Sequence, residues 1–374
     1  MKIPQGFLFS GVSSGVKKSH RLDLGLVYSP DFAEGAYFFT DNKVKAAPLI
    51  LSMRKIKRNK GKIKAIIVNS GNANCFIGKK GLDDAETICG KVSQLLREDS
   101  KYILPSSTGI IGKRLCLTKI SKSLSKLTQG LGKNISDFAE SILTTDTFKK
   151  ISYKEVTIKK EKIRILGVAK GAGMIYPHLK QATMLSFIFT DINIKNSLLR
   201  EASRLAMENS FNSISVDACR STNDSAFVLT SKKADKVFLQ NKDKDFKIFA
   251  KSLEEVCLNL AKMIVKDGEG ASKFVEIYLK GAKTKNEAKK AAFSIANSNL
   301  FKCALFGSNP NWGRIVAALG QAGIKVKENI SINSTSLKNR EIKITVDLKR
   351  GCFSRRVYTS DLTPQYVKIN AKYN

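Results

Sequence analysis

The residue of this chain with the clearest potential for chemistry is a threonine between a polar loop and an apolar segment. Thr183 directly precedes MLSFIF at 184–189, which is apolar except for Ser186 and predicts a buried strand. If the peptide bond before Thr183 were cut, its hydroxyl would gain an adjacent α-amine, whose pKa of about 7.7 to 8.0 suits a general base. Taken alone, the pattern favours a threonine that simply begins a strand.

Other signatures of familiar catalytic sites are weak. The segment SSTGIIG at 106–112 fits a phosphate-binding turn or a plain turn, and it lacks the Gly-Lys-Ser/Thr ending of a nucleoside triphosphate site. The seven cysteines form no C-x-x-C pair, and only His20 and His178 accompany them. We therefore expect no metal site.

The chain is strongly basic, with a formal net charge of +33. Such a charge is typical of proteins that bind nucleic acids or anionic membranes. Here, however, the basic residues are mostly dispersed lysines, whereas phosphate-binding surfaces exploit the arginine fork. We predict no nucleic-acid partner and no membrane partner, and the charge could instead attract anionic substrates. A lysine-rich nucleic-acid-binding protein is the non-enzyme alternative.

Length and composition predict an ordinary globular protein. The 374 residues, of which 43% are hydrophobic, are enough for a substantial core and two or three lobes. Cys89 and Cys257 lie among apolar residues, which is typical of core thiols in a reducing compartment. No run approaches 18 apolar residues, and the first residues do not resemble a leader segment. We expect a cytoplasmic protein.

Strand-like and helix-like patterns alternate along the chain. Apolar runs and alternating patterns predict strands at 64–68 (KAIIV), from Arg164 in RILGVA, at 341–348 (EIKITVDL) and at 367–373 (VKINAKY). Apolar residues at helical spacing predict helices that begin at Asp83 or Asp84, that cover 253–264 with Gly268 as the stop, and that cover 286–297 and 311–319. The alternation predicts an α/β layered architecture.

Several segments, read together and in order, resemble the glutamate N-acetyltransferase family, the bifunctional ornithine acetyltransferase/N-acetylglutamate synthase enzymes of arginine biosynthesis. The matching segments cover essentially the whole chain. They are GVSSGVKKS (11–19), TDNKVKAAP (40–48), VNSGNAN (68–74), SSTGIIG (106–112), LTTDTFKK (143–150), AKGAGMI (169–175), ATML (182–185), STNDSAF (221–227), DGEGASKFVE (267–276), ALFGSNPNWGRI (304–315), VDLKRG (346–351) and YVKINAKY (366–373).

The resemblance implies a self-cleaving enzyme with an N-terminal-nucleophile-like αββα sandwich and a smaller C-terminal α/β lobe. Cleavage would fall between Ala182 and Thr183, where the Thr183 hydroxyl attacks the Ala182 carbonyl. The products would be an alpha chain, 1–182, which carries the oxyanion hole, and a beta chain, 183–374, whose C-terminal lobe covers about 275–374. The family also implies a heterotetramer of two alpha and two beta chains.

The same resemblance assigns roles in a ping-pong reaction. Thr183 would take the acetyl group from N2-acetyl-L-ornithine and pass it to L-glutamate. The Thr108 side chain and the Gly109 backbone N–H would form the oxyanion hole, since each half-reaction passes through a tetrahedral oxyanion. The substrate contacts would be Thr144 (or its neighbour Thr145), Lys170, Thr183, Glu269 and Asn370. No cofactor is implied, and acetyl-CoA stays open as a co-substrate.

Two departures from the family pattern concern self-cleavage and substrate binding. Four residues, 178–181, separate Pro177 from Ala182, where family members usually have two, so the rate of self-cleavage is in question. The family commonly has a Ser or Thr a few residues beyond the asparagine that corresponds to Asn370, whereas this chain reads Tyr373-Asn374. The nearest enzyme alternative is an N-terminal-nucleophile amidase or aminopeptidase, in which water takes the acyl group.

Overall fold

Strands and helices alternate along residues 2–176 and 184–372, the part of the chain that the computed structural model describes. The strands are β1 (Leu8–Val12), β2 (Leu24–Phe39), β3 (Lys62–Asn72), β4 (Ile103–Ile110), β5 (Lys150–Ile158), β6 (Glu161–Lys170), β7 (Leu185–Ile194), β8 (Ile214–Ser215), β9 (Ser225–Leu239), β10 (Phe274–Ala282), β11 (Ser331–Ser334), β12 (Glu341–Asp347) and β13 (Phe353–Ser360). The α-helices are α1 (Ala47–Arg58), α2 (Lys79–Leu96), α3 (Leu117–Gln129), α4 (Ile135–Ser141), α5 (Asn196–Asn209), α6 (Lys244–Lys266), α7 (Lys285–Ala296), α8 (Asn299–Phe306), α9 (Gly313–Gln321) and α10 (Pro364–Lys372).

These elements belong to two units. Among the described residues, unit 1 contains 2–171, 184–212 and 220–260, and unit 2 contains 172–176, 213–219 and 261–372. None of the described helices is both long enough and apolar enough to cross a membrane.

Unit 1 is built on one sheet that folds over itself. Its strand order is β4-β3-β2-β9-β7-β6-β5, and β1 also pairs with β2. The long strand β2 pairs with β3 through its first half and with β9 through its second half, with a register shift between Tyr28 and Ala33. Phe9 of β1 contacts Phe189 of β7 at 4.9 Å between ring centroids, although these strands are not neighbours in the sheet. The two halves therefore face each other across an apolar core.

Helices cover the outer faces of both halves. Side chains alternate along β3, so that Ile66 faces the inner core while Ile67 packs against α2 and α3. On the other half, a Cβ atom at Gly167 of β6 would lie 2.6 Å from Leu260 and 2.9 Å from Val256, because α6 packs directly on the strand. This helix–sheet–sheet–helix order confirms the predicted αββα sandwich.

Unit 2 is a smaller α/β lobe. Its sheet has the order β11-β12-β10-β13-β8, in which β10 and β12 are parallel. The alternating residues Ile342, Ile344 and Val346 of β12 join a core with buried residues of α7, α8 and α9. The predicted strand at 341–348 and the predicted helices at 286–297 and 311–319 are thus confirmed.

The prediction of a strand at 367–373 is wrong, because 364–372 form α10. Pro364 opens this helix with a φ angle that suits a first turn, and the Thr363 hydroxyl accepts the Tyr366 N–H at 3.3 Å. The Thr-Pro pair before the segment was the signal for a helix start. It outweighs the apparent alternation of VKINAKY, which is exposed along much of its length.

The predicted helix start at Asp83 or Asp84 is also wrong, because α2 begins at Lys79. Asp84 is buried and its carboxylate accepts two hydrogen bonds from the Arg114 guanidinium, at 2.9 and 3.0 Å. A side chain that is used in a tertiary ion pair is not available as a cap, and local sequence does not reveal such a pair. The helix is instead preceded by Gly78, which has a φ of 66°.

The packing between the two sheet halves generates a stability prediction. Phe189 is fully buried and contacts Phe7 and Phe9, so Phe189→Ala should lower the free energy of unfolding by about 3–5 kcal/mol. Phe238 of β9 is 45% exposed, and Phe238→Ala should change it by less than about 0.5 kcal/mol. Denaturant unfolding of both variants measures the difference, and equal losses would contradict the described packing.

Candidate active site

The two predicted oxyanion donors stand at the end of β4. Strands β3 and β4 run parallel, with Ser70 opposite Thr108 and Gly71 opposite Gly109. Gly109 has a φ of 134°, and a Cβ atom there would lie 2.3 Å from the carbonyl carbon of Gly71. Only glycine fits this close approach of two backbones. The sequence therefore places a glycine amide and a buried threonine hydroxyl side by side at a rigid strand end.

Lys170, the last residue of β6, joins this strand end to a third predicted residue. Its ammonium donates to the Thr144 hydroxyl at 2.8 Å and to the Thr108 hydroxyl at 3.3 Å. A hydroxyl that accepts from lysine keeps its own proton to donate. The Thr144 hydroxyl donates to Asp146 Oδ2 at 3.5 Å, whereas the Thr108 hydroxyl stays able to bind an oxygen of a substrate. The structure thus brings Thr108, Thr144 and Lys170 together, next to Gly109.

A buried ion pair that sequence reasoning missed supports this cluster. The side chains of Asp146 and Lys150 are both fully buried, with 2.7 Å between Lys150 Nζ and Asp146 Oδ1. The Asp146 carboxylate also accepts the N–H of Gly171 at 2.6 Å and the N–H of Thr144 at 3.0 Å. Asp146 belongs to the segment LTTDTFKK, so its position in a matching motif was the available signal.

Asp146 is held in its charged form. Burial by itself would raise its pKa, but the ammonium groups of Lys170 and Lys150 and the Thr144 N–H lower it, and the net result is a pKa well below the ordinary range of a carboxyl. Because Gly171 follows Lys170 directly, its hydrogen bond to the Asp146 carboxylate also fixes the end of β6.

A second buried carboxyl, Asp224, is held in the opposite state and was also missed. Burial raises its pKa well above the ordinary value, and this outweighs hydrogen bonding to Ser221 and the attraction of Lys170. Within the described residues, Asp224 Oδ2 has no hydrogen-bond partner. Asp224 directly precedes β9, and the N–H of the next residue, Ser225, donates to the Met184 carbonyl at 2.7 Å.

The predicted cleavage residues Ala182 and Thr183 lie outside the described residues. The described residues continue from Met184, and β7 begins at Leu185. Leu185 pairs with Lys170 of β6 on one side and with Ser225 of β9 on the other. The start of β7 therefore lies between the strand that ends in Lys170 and the strand that follows Asp224.

Unit 2 brings together the remaining two predicted residues, Glu269 and Asn370. The Asn370 side-chain amide donates to Glu269 Oε2 at 2.8 Å and to the Tyr366 carbonyl, one helical turn earlier, at 3.0 Å. The Glu269 carboxylate lies so close to Gly173 that a Cβ atom there would be 2.4 Å from it. The helical conformation of 364–372 is what allows Asn370 to make both contacts.

Asp217 places a second carboxyl close to Glu269 in unit 2, and no sequence signal marked it. It accepts the N–H groups of Met174 at 2.6 Å and Ile175 at 2.8 Å. Burial raises its pKa, the three backbone hydrogen bonds lower it, and the nearby Glu269 carboxylate raises it, so that the net shift is upward. Unit 2 therefore carries anionic character next to Glu269, which suits a cationic amine.

The groups in unit 1 define a class of protein. An αββα sandwich that presents a glycine amide, threonine hydroxyls and a buried lysine at strand ends has the parts of an enzyme of acyl transfer, which needs fixed donors for an oxyanion. Between residues 2–176 and 184–372, no three His, Cys, Asp or Glu side chains are grouped as metal ligands.

Comparison with known proteins gives the family. The model of the ArgJ family matches residues 8–334 and 329–374. The chain is 41% identical over 399 residues to the arginine biosynthesis bifunctional protein ArgJ of Caldanaerobacter subterraneus subsp. tengcongensis, covering 100% of this chain and 98% of the relative. It is 40% identical to the glutamate N-acetyltransferase of Methanocaldococcus jannaschii, covering 99% and 97%. The chain belongs to the ArgJ family, and the predicted family is confirmed.

Solved structures of similar proteins cover about half of this chain. The ArgJ protein of Bacillus halodurans is 36% identical, with 48% of this chain and 96% of that chain covered and a TM-score of 0.45. The ornithine acetyltransferase of Mycobacterium tuberculosis, solved in complex with ornithine, is 31% identical, with 47% and 93% covered and a TM-score of 0.41.

The buried ion pair in unit 1 yields a prediction about stability. Asp146→Asn leaves the Lys150 ammonium buried without its carboxylate, which should lower the free energy of unfolding by about 3–5 kcal/mol. Asp235→Asn, at an exposed position of β9, serves as the matched control and should change it by less than about 0.5 kcal/mol. Urea unfolding at neutral pH compares the two, and a loss below about 1 kcal/mol for Asp146→Asn would show that the pair contributes little.

The raised pKa of Asp224 yields a pH prediction. The native state holds the proton of the Asp224 carboxyl more tightly than the unfolded chain does, because an aspartate in an unfolded chain has a pKa of about 3.9. The contribution of Asp224 to the free energy of unfolding therefore falls as the pH rises above about 3.9. Asparagine has no carboxyl proton to release, so the stability of Asp224→Asn does not fall with pH for this reason. The variant should therefore gain stability relative to the parent by up to about 1.4 kcal/mol for each pH unit until the native pKa is passed. Unfolding curves between pH 4 and pH 8 test this, and a constant difference would contradict it.

Proposed function

We propose that this chain is an acetyltransferase that moves the acetyl group of N2-acetyl-L-ornithine to L-glutamate through an ester on Thr183, after cutting itself between Ala182 and Thr183. The observation that carries the proposal is the convergence of Thr108, Thr144 and Lys170 beside Gly109, because Lys170 ends the strand that pairs with the start of β7. Membership of the ArgJ family supports the same reaction.

In the first half-reaction, the Thr183 hydroxyl attacks the acetyl carbonyl and its own α-amine takes the hydroxyl proton. The tetrahedral oxyanion accepts hydrogen bonds from the Gly109 N–H and the Thr108 hydroxyl, and the loss of one such donor typically costs about 2.7–4 kcal/mol of transition-state stabilisation. The carbon–nitrogen bond then breaks, the nitrogen takes the proton from the α-amine, and ornithine leaves.

Binding of the substrates uses groups of both signs. Lys170 suits the α-carboxylate that N2-acetyl-L-ornithine and L-glutamate share, and the Thr144 hydroxyl suits the same carboxylate or the acetamide. On family analogy, Glu269 supplies the anionic partner for the α-amine or the side-chain amine of a substrate. Within unit 2, Asn370 donates to the Glu269 carboxylate at 2.8 Å. Lys170 also interacts with the Asp146 carboxylate, whose pKa it lowers.

In the second half-reaction, the amine of L-glutamate attacks the acetyl carbonyl of the Thr183 ester, and the same donors hold the oxyanion. The bond between the acetyl carbon and the Thr183 oxygen then breaks, the α-amine of Thr183 transfers the proton of the attacking amine to that oxygen, and N-acetyl-L-glutamate leaves. The proposal includes no resident cofactor. Acetyl-CoA is considered only as a further acetyl donor, and a donor comparison decides whether it is used. We propose an assembly of two alpha and two beta chains in the cytoplasm, on family analogy.

The first test of the proposed self-cleavage is to measure the masses of the purified chain or its fragments. The parent protein should run as two fragments, and N-terminal sequencing of the second should read Thr-Met-Leu-Ser-Phe, which begins at Thr183. Thr183→Ala should give one intact chain because the attacking hydroxyl is gone. An uncut parent protein with full transferase activity would refute the proposed nucleophile.

The same preparations separate transfer from hydrolysis. N2-acetyl-L-ornithine should lose its acetyl group at an appreciable rate only when L-glutamate is present, and acetyl-L-glutamate should appear in equal amount. Deacetylation that does not depend on glutamate would identify an amidase instead. Replacing the donor by acetyl-CoA in the same assay shows whether the second donor is used.

A further inference from the structure

Lys17 is a half-buried lysine that no step of the proposed reaction uses. It lies in the loop between β1 and β2, whose shape is set by the buried carboxylate of Asp23. That carboxylate accepts the N–H of Ser14 at 2.6 Å and the N–H of Lys17 at 2.9 Å. The loop therefore has a defined path, and the backbone of Lys17 is held in place.

The side chain of Lys17 lies against the strand pair that carries the oxyanion amide. A Cβ atom at Gly71 would be 3.1 Å from Lys17 Cγ, so the aliphatic stem packs on the bare backbone of Gly71. Gly71 is the register partner of Gly109. The Lys17 ammonium donates to the Leu22 carbonyl at 2.8 Å, which uses one of its three N–H groups.

The electrostatic surroundings of Lys17 connect it with Lys170. Burial lowers the pKa of Lys17 to about 8, the Asp23 carboxylate opposes this, Lys170 lowers it further and Asp146 raises it. The positive charges of Lys170 and Arg21 therefore both repel the Lys17 ammonium. Two ammonium groups that repel each other are unfavourable by themselves. An anion that binds near Lys17 and Lys170 relieves this repulsion.

The two substrates differ in the charge of their side chains. N2-acetyl-L-ornithine has one carboxylate and a cationic side chain, whereas L-glutamate has two carboxylates. Lys170 is assigned to the α-carboxylate that both contain, so the second carboxylate of glutamate requires a cation of its own.

We propose that Lys17 binds the side-chain carboxylate of the acceptor and thereby selects glutamate over uncharged amino acids. The proposal rests on the proposed transferase function and names the residue that determines acceptor specificity. A carboxylate at this position accepts from the ammonium of Lys17 while the stem stays on Gly71.

The test compares Lys17→Met with Lys18→Met. Methionine keeps an unbranched stem over Gly71 and removes the charge, and Lys18 is an exposed neighbour, so its variant controls for the loss of one positive charge. Lys17→Met should raise the KM for L-glutamate by about tenfold or more, the size expected for one charge-assisted hydrogen bond. The KM for N2-acetyl-L-ornithine should change by less than about twofold, and Lys18→Met should change neither.

L-Glutamine as the acceptor gives a second readout. It matches glutamate in shape but lacks the charge, so the parent enzyme should strongly prefer glutamate by kcat/KM. The preference should shrink by about tenfold or more in Lys17→Met and persist in Lys17→Arg, which keeps the charge.

The pH dependence supplies a readout on the unmodified protein. Since only the cationic form of Lys17 attracts a carboxylate, the parent KM for glutamate should rise as the pH passes about 8, and the rise should be absent in Lys17→Met. If Lys17→Met fails to fold, the parent profile and Lys17→Arg still decide the question, because a flat parent KM overturns the proposal.

The outcomes separate the two hypotheses. A parent protein that transfers no acetyl group to glutamate refutes the proposed function. A parent that does so, with a Lys17→Met variant whose two KM values are unchanged or rise together, leaves that function standing and overturns the role of Lys17. Equal rises would identify Lys17 as a residue that only shapes the loop.

Discussion

The buried carboxylate of Asp146 is the group on which the arrangement of the unit 1 site depends. It accepts the N–H groups of Gly171 and Thr144 and pairs with the Lys150 ammonium, so one side chain joins the end of β6 to the segment after α4. Because Lys170 precedes Gly171, any movement of this carboxylate would shift the lysine away from its hydroxyl partners. A neutral side chain could accept one of these hydrogen bonds but could not stabilise two ammonium groups, so geometry and charge depend on each other here.

Backbone shape contributes as much to the site as side chains do. Gly109 and Gly71 stand opposite each other in β4 and β3, and their backbones approach so closely that no side chain fits at Gly109. The same approach leaves a bare surface at Gly71, which the Lys17 stem covers. Gly109 therefore presents its backbone amide, and Gly71 leaves space for the side chain of Lys17. The position of the oxyanion donor is thus linked to the shape of the β1–β2 loop.

The sequence predicted those parts of the fold that depend on periodicity. Buried strands such as β3 and long helices such as α6 bury one face, and that face is visible in the spacing of apolar residues. The errors at α2 and α10 arose at helix ends, where a tertiary ion pair of Asp84 and a Thr-Pro start decided the structure. Of the site, motif matching identified residues that touch one another, such as Thr108 and Lys170. It missed Asp146 and Asp224, whose importance comes from burial and charge, which one sequence does not display.

Two of the buried carboxyls of unit 1, Asp146 and Asp224, show how different surroundings give like groups opposite pKa shifts. Asp146 has two ammonium neighbours and backbone N–H donors, so its carboxyl is ionised. Asp224 is buried, and among the described residues its Oδ2 has no hydrogen-bond partner, so this carboxyl keeps its proton. If Asp224 were ionised as well, Lys170 would lie between two carboxylates and would have little attraction left for a substrate. Because Asp224 keeps its proton, it leaves the positive charge of Lys170 available to other anions, and Lys17 adds positive charge nearby. The ammonium groups of Lys17, Lys150 and Lys170 therefore act together near Asp146, and an anionic substrate that binds there is attracted by more than one positive charge.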